Sequence, residues 1–218
     1  MAQHILGLSQ SESTLFKKLS TPIKIQDYLD TLPINFEKRR DTHYSPRMVM
    51  EYNKAHCIEG ALFAAAALWV NGSEPLLLDL CAAKGDYDHV VALYQYNKHW
   101  GAISKSNHAT IRYRDPVYKN VRELALSYFH EWFPESTGIR TLRTYSKPLN
   151  MKKFGSSWIT SDEDLWWVDS ALNKMPHYPI APPQNIRRLR RADPTEIRSG
   201  SITEWLSNGG RTKPQKGA

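Results

Sequence analysis

The sequence predicts an α+β domain in which a helix carrying a cysteine packs on a small antiparallel sheet, with extra helices around it. Two observations lead to this prediction. Residues 55–70 (AHCIEGALFAAAALWV) are rich in Ala and Leu and contain no proline, which is typical of a buried helix. Residues 89–96 (HVVALYQY) and 100–104 (WGAIS) are apolar runs of strand length on either side of Asn97-Lys98, and this pattern indicates a β-hairpin.

Caps and apolar spacing predict the other elements. In chain order these are helices over 23–32 and 46–52, strands over 76–80 and 109–113, and helices over 115–129 and 161–172. Ser45-Pro46 is typical of a helix start, because Ser caps free N–H groups and Pro suits the first helical position. By the same reasoning Asp115-Pro116 predicts the start of the helix over 115–129.

The length of 218 residues suits one domain with tails. We predict an N-terminal arm over 1–20, one domain over 21–181 and a basic, largely flexible tail over 182–218 that packs in part through Trp205. Residues 181–218 hold eight lysines and arginines against three acidic residues, within a total net charge of +7. The body is therefore close to neutral, and we expect at most weak nucleic-acid contact through the basic tail.

The sequence also indicates where in the cell the protein is expected and which cofactors it is not expected to bind. No apolar run approaches the length of a membrane span, and the N-terminus lacks the basic and apolar regions of a signal peptide. Two cysteines cannot form a disulfide scaffold, so we expect a cytoplasmic protein with free thiols and no membrane association. Glycine-rich phosphate loops and zinc-type ligand spacings are absent from the sequence, so we expect no cofactor and no metal site.

The candidate chemistry centres on Cys57 and His89. Cys57 lies at the predicted start of the buried helix, where free backbone N–H groups and the helix dipole stabilise an anion. A thiol in that position has a lowered pKa and is a better nucleophile at neutral pH. His89 begins a predicted strand and would act as the base that takes the thiol proton and returns it to a leaving amine.

This order of elements resembles the transglutaminase-like superfamily of papain-like folds. The resemblance covers residues 45–104: SPRMVM at Ser45, the Cys57 helix with the strand after it, and DHVVALYQYNKHWGAIS from Asp88. It implies a papain-like core in which Cys57 is the nucleophile and His89 its base. In that family an Asp on the next strand orients the His.

The Asp that orients the His in this family has no direct equivalent in this sequence. Ser104 stands at the position where the family has Asp, and Val91 stands where many members have an aromatic residue. Asn107 and Asp115 are alternatives, because an amide or a carboxylate can hold an imidazole. We rank Asn107 and Asp115 level, ahead of Ser104.

The resemblance implies cysteine-dependent acyl transfer or hydrolysis of an amide, peptide or protein substrate. The alternative is a catalytically inactive member of the same fold that binds a peptide or a protein. We expect Cys81 to be structural, since free cysteines are commonly buried for packing, and we expect a capping or surface role for His56.

Overall fold

The computed structural model has, among the residues that it describes, seven strands in one antiparallel sheet with helices on both of its faces. It describes residues 5–208 and 210–212. The α-helices are α1 (Gln10–Lys18), α2 (Pro22–Thr31), α3 (Pro46–Tyr52), α4 (Cys57–Val70), α5 (Val121–Leu126), α6 (Trp166–Asn173), α7 (Pro183–Ile186) and α8 (Pro194–Gly200). The strands are β1 (Leu76–Ala82), β2 (His89–Tyr96), β3 (His99–Ile103), β4 (Arg114–Tyr118), β5 (Leu142–Ser146), β6 (Leu149–Asn150) and β7 (His177–Pro179). Their order is β4-β3-β2-β1-β5-β7, and β6 also pairs with β1.

Helix α4 lies at the centre of the domain. Every residue from Ile58 to Leu68 is buried, which explains why this helix is apolar on all sides. Its alanines bring the backbone close to the sheet, and its closest strand neighbour is β2. The prediction of a buried helix that begins near Cys57 is confirmed.

The hairpin of β2 and β3 is also confirmed. Tyr96 pairs with His99, and the connecting residues Asn97 and Lys98 have φ angles of 47° and 65°. Two successive positive φ angles give a tight turn whose twist matches that of the strands. The hairpin fixes the position of His89 at the far end of β2.

The prediction for residues 109–129 was wrong. The strand there is β4, which begins at Arg114 and includes Asp115 and Pro116, whereas we expected a strand over 109–113 and a helix from Asp115. Strand β4 lies at the edge of the sheet, where a proline without an N–H group is tolerated. Helix α5 begins later, because the side chain of Asn120 accepts the N–H of Glu123 and caps it.

Two apolar cores cover the two faces of the sheet. On one face, α1, α2, α3, α4 and α6 pack against the even-numbered positions of β2, such as Ala92. On the other face, α5 and the aromatic residues Tyr128 and Trp132 pack against Val91 and Leu93. The alternation of faces along β2 is that of a strand buried on both sides.

The chain on both sides of the predicted domain contacts this core. Phe16 of α1 is buried with its ring 5.0 Å from that of Phe63. Two helices, α7 and α8, form within the segment that we expected to be largely flexible, and Trp205 is buried. Among residues 5–208 and 210–212, no helix is both long enough and apolar enough to span a bilayer.

Candidate active site

Cys57 is the first residue of α4 and lines a cavity of about 360 Å³. The residue as a whole is partly exposed. The first N–H groups of a helix have no acceptor within the helix, and they carry the positive end of the helix dipole. This position therefore favours the thiolate over the thiol.

His89 is the first residue of β2, and its side chain borders the same cavity. Its Nε2 atom lies 2.8 Å from Oγ of Ser104, whose hydroxyl donates to the carbonyl of Ile111 at 2.9 Å. Because Ser104 has a single proton and uses it on Ile111, the Nε2–H of His89 must be the donor to Ser104. Nδ1 is then the ring nitrogen that keeps a lone pair, and His89 and Cys57 line the same cavity.

Ser104 is held firmly in place. It follows the last residue of β3, and both its backbone N–H and its carbonyl bond to the buried side chain of Gln26, at 3.0 and 2.9 Å. The ring of His89 also packs edge-on against Trp132, with 6.0 Å between ring centroids. These contacts fix the orientation of the His89 imidazole.

The two residues that we ranked ahead of Ser104 lie elsewhere. Asn107 lines the cavity, but its amide bonds to the backbone of Trp205, accepting its N–H at 2.7 Å and donating to its carbonyl at 3.0 Å. Asp115 is exposed on the edge strand β4. Our ranking considered which side chain holds an imidazole best, whereas the course of the chain after β3 decides which one reaches His89.

A second imidazole adjoins the sulfur. His56 is the N-cap of α4, and its Nδ1 lies 3.9 Å from Sγ of Cys57. Its Nε2 donates to the carbonyl of Thr42 at 2.9 Å and lies 3.3 Å from Oε1 of Glu59 and 3.5 Å from Oε1 of Glu37. His56 therefore lies between the thiol and two carboxylates, which we did not expect from the sequence.

Glu59 is fully buried, and its carboxylate is surrounded by donors. It accepts hydrogen bonds from the N–H of His56 at 2.9 Å, the hydroxyl of Thr42 at 2.7 Å and the N–H of Tyr44 at 3.1 Å. The amide of Asn35 also donates to it. A buried carboxylate with this many donors stays ionised and can hold a neighbouring imidazolium.

The ionisation of these three groups is coupled. Burial alone would raise the pKa of Cys57, but hydrogen bonds and positive charge from His56 and His89 lower that pKa well below its usual value. Burial opposes the charged form of His56 as well, yet its contacts with Cys57 and Glu59 raise its pKa to about 11. Burial likewise raises the pKa of Glu59, and the contacts with His56 bring it down to about 2. The favoured state is a thiolate, an imidazolium and a carboxylate in a row.

The sequence did carry a signal for this row. Glu59 is the one charged residue between Cys57 and Val70, in an otherwise apolar helix. A charge in such a helix needs a partner, and the N-cap three residues earlier is within reach. The residue at the N-cap is His56, so the sequence indicates His56 as the partner of Glu59.

Cys81 differs from Cys57 in its surroundings. Its thiol donates to Oδ2 of Asp79 at 3.3 Å. Burial and the charge of Asp79 raise the pKa of Cys81 to about 12. This thiol is therefore a poor nucleophile at neutral pH.

Comparison with known proteins assigns no family to this chain. No protein-family model matches the sequence, and no match is found among curated proteins.

Proposed function

We propose that this protein is a cysteine-dependent enzyme that transfers or hydrolyses acyl groups of amides or peptides, on a papain-like core of transglutaminase-like type. The observation that carries the proposal is the state of His89. Its Nε2–H is committed to Ser104, so Nδ1 is the nitrogen left to act as a base for Cys57, which lines the same cavity. A thiol, a base of fixed tautomer and an open cavity are the parts that covalent acyl transfer needs.

In the first half-reaction Nδ1 of His89 holds the proton given up by the Cys57 thiol, and the Cys57 sulfur attacks the carbonyl carbon of an amide. The C–N bond breaks, a thioester forms on Cys57, and the amine leaves with a proton delivered by His89. The free N–H groups at the start of α4 lie beside the nucleophile and can stabilise the oxygen anion of the tetrahedral intermediate.

In the second half-reaction water or an amine attacks the thioester. His89 removes the proton of the attacking group, the C–S bond breaks, and the Cys57 thiolate is regenerated. His56 is a positioning residue in this scheme: held by Glu59, it keeps a positive charge next to the sulfur throughout.

An active-site acylation experiment tests this proposal. We expect p-nitrophenyl acetate to acetylate the full-length protein on Cys57, seen as one acetyl group by intact-protein mass spectrometry. Cys57→Ser should abolish the adduct, and Cys81→Ser should leave it. Equal acetylation of the wild type and Cys57→Ser would contradict the proposal.

One observation favours a second candidate, a binding scaffold of the same fold. The contact of His89 is the neutral hydroxyl of Ser104, where a carboxylate would stabilise an imidazolium better. If the cavity only binds a peptide or protein, Cys57 should be acetylated at the same rate in His89→Gln as in the wild type.

The basic tail supports only weak nucleic-acid contact. Arg187, Arg188 and Arg191 are exposed, whereas Arg190 pairs with Asp193 at 3.2 Å. Replacing Arg187, Arg188 and Arg191 by Ala should lower any binding of single-stranded RNA, and binding that does not change with salt would exclude this contact.

A further inference from the structure

Three potential metal ligands converge on one row of the sheet, away from the cavity. They are Asp79 and Cys81 of β1 and His177 of β7, and one ligand atom from each lies within 4.8 Å of the others. Oδ2 of Asp79 is shared, since Sγ of Cys81 and Nε2 of His177 each lie 3.3 Å from it. Ligands at bond lengths of roughly 2.0–2.3 Å around a tetrahedral metal are about 3.3–3.7 Å apart, so the two separations from Asp79 fit such a site.

The strand order explains this convergence. Strand β5 lies between β1 and β7, and its Ser146 pairs with His177. The hydroxyl of Ser146 accepts the backbone N–H of Asp79 at 3.0 Å. Because Ser146 is small and fully buried, the longer side chains of Asp79 and His177 meet across it.

The histidine is oriented as a ligand. Nδ1 of His177 lies 2.8 Å from the carbonyl of Met175, and a carbonyl can only accept, so Nδ1 carries a proton. In the neutral ring the lone pair is then on Nε2, which is directed at Asp79. Metal-binding histidines are commonly fixed in this way by a carbonyl behind the ring.

The three ligand atoms face one another, with the carboxylate of Asp79 between the thiol and the imidazole. The carboxylate of Asp88 accepts the N–H of Ala82, the residue after Cys81, at 2.7 Å and adds negative charge at this end of β1. Asp79 is buried, whereas Cys81 and His177 are partly exposed, so an ion has a route from solvent.

We propose that Asp79, Cys81 and His177 bind a zinc-type divalent cation through one oxygen, one sulfur and one nitrogen, with a fourth position open to water. This proposal departs from our expectation of no metal site, which was based on the absence of zinc-type spacing in the sequence. On binding, the Cys81 S–H bond breaks, the proton leaves to solvent, and the sulfur bonds to the metal as a thiolate. None of these three residues lines the cavity of Cys57.

Cobalt(II) is a suitable probe, since a thiolate ligand gives it a charge-transfer absorption in the near ultraviolet. The experiment titrates chelator-treated full-length protein with Co²⁺ and then displaces it with Zn²⁺. We expect a single bound ion with the thiolate band, and Zn²⁺ should remove the band by replacing Co²⁺.

Three variants locate the site. Cys81→Ser should lose the band, His177→Gln should weaken Co²⁺ binding by roughly 100-fold, and Cys57→Ser should retain both band and affinity. Circular dichroism checks that the variants fold. His177 is partly exposed, so we expect its replacement by Gln to disturb folding least. Absence of the band in the wild type would overturn the proposal, and so would a band lost in Cys57→Ser but kept in Cys81→Ser.

Discussion

The Nδ1 atom of His56 lies 3.9 Å from the Sγ atom of Cys57, and a second imidazole, that of His89, lines the same cavity as this sulfur. The two imidazoles are held differently. His56 is tied to the buried carboxylate of Glu59, whereas His89 is tied to the hydroxyl of Ser104. This division gives His56 the role of a fixed charge and leaves His89 free to transfer protons.

The two thiols should differ widely in reactivity. At pH 6–7 in chelator, we expect iodoacetamide to alkylate Cys57 at least about 100-fold faster than Cys81, because the attacking species is the thiolate. Peptide mapping by mass spectrometry measures both rates in one sample. Equal, slow labelling of the two cysteines would contradict the assignment.

Neutralising Glu59 should raise the pKa of Cys57. In Glu59→Gln the imidazolium of His56 loses its charged partner, so less thiolate remains at low pH. We expect alkylation of Cys57 to slow by about 10-fold at pH 6 and to recover at pH 9. Glu51→Gln, at an exposed position, is the matched control, and an unchanged pH profile in Glu59→Gln would exclude the charged row.

Glu59 should also make the fold sensitive to acid. Its pKa is lowered from 4.5 to about 2, so its contribution to stability is present above pH 4.5 and is lost as the pH falls towards 2. The shift corresponds to on the order of 3 kcal/mol. Urea unfolding between pH 5 and pH 2 should show this loss in the wild type and a smaller loss in Glu59→Gln; parallel curves would argue against it.

Ser104 should matter more than the two residues ranked above it. Ser104→Ala removes the contact that fixes the His89 tautomer, and we expect acetylation of Cys57 to slow by roughly 10- to 100-fold. Asp115→Asn should leave the rate unchanged, since Asp115 is exposed on the edge strand. A slow Asp115→Asn with a normal Ser104→Ala would assign the third position to Asp115 instead.

Gly60→Ala should destabilise the protein, although the same change in an open helix stabilises by about 1 kcal/mol. A Cβ atom at position 60 would lie 2.3 Å from Cβ of Lys105, which is buried and donates to the carbonyls of Leu29 and Leu32. Overpacking of this kind costs about 1–3 kcal/mol. Thermal denaturation decides the sign, and a raised melting temperature would contradict this packing.

The sequence was sufficient where local pattern decides the structure. Helix α4 and the hairpin of β2 and β3 follow from apolar runs and a turn dipeptide. Asp115-Pro116 led to the wrong prediction of a helix start, because this dipeptide is compatible with both a helix start and an edge strand. Only the order of strands in the sheet distinguishes the two structures. That order depends on contacts between distant segments.

The candidate site was also predictable only where local sequence pattern decides the positions of its residues. Cys57 and His89 were proposed from their positions at the starts of two elements, and the structure brings both to one cavity. The choice among Ser104, Asn107 and Asp115 required the path of the chain after β3. The Asp79 cluster required the pairing of β1, β5 and β7, which the sequence does not display.

The ionisation of Cys57 is the most direct test of the whole scheme. The measurement is the thiolate ultraviolet absorbance of the full-length protein against pH, with Cys57→Ser subtracted to isolate the one sulfur. We expect the Cys57 thiolate to be present already at pH 6. His56→Gln and His89→Gln should each shift its formation to higher pH. A thiolate that forms only near the ordinary pKa of about 8.5 in the wild type would contradict it.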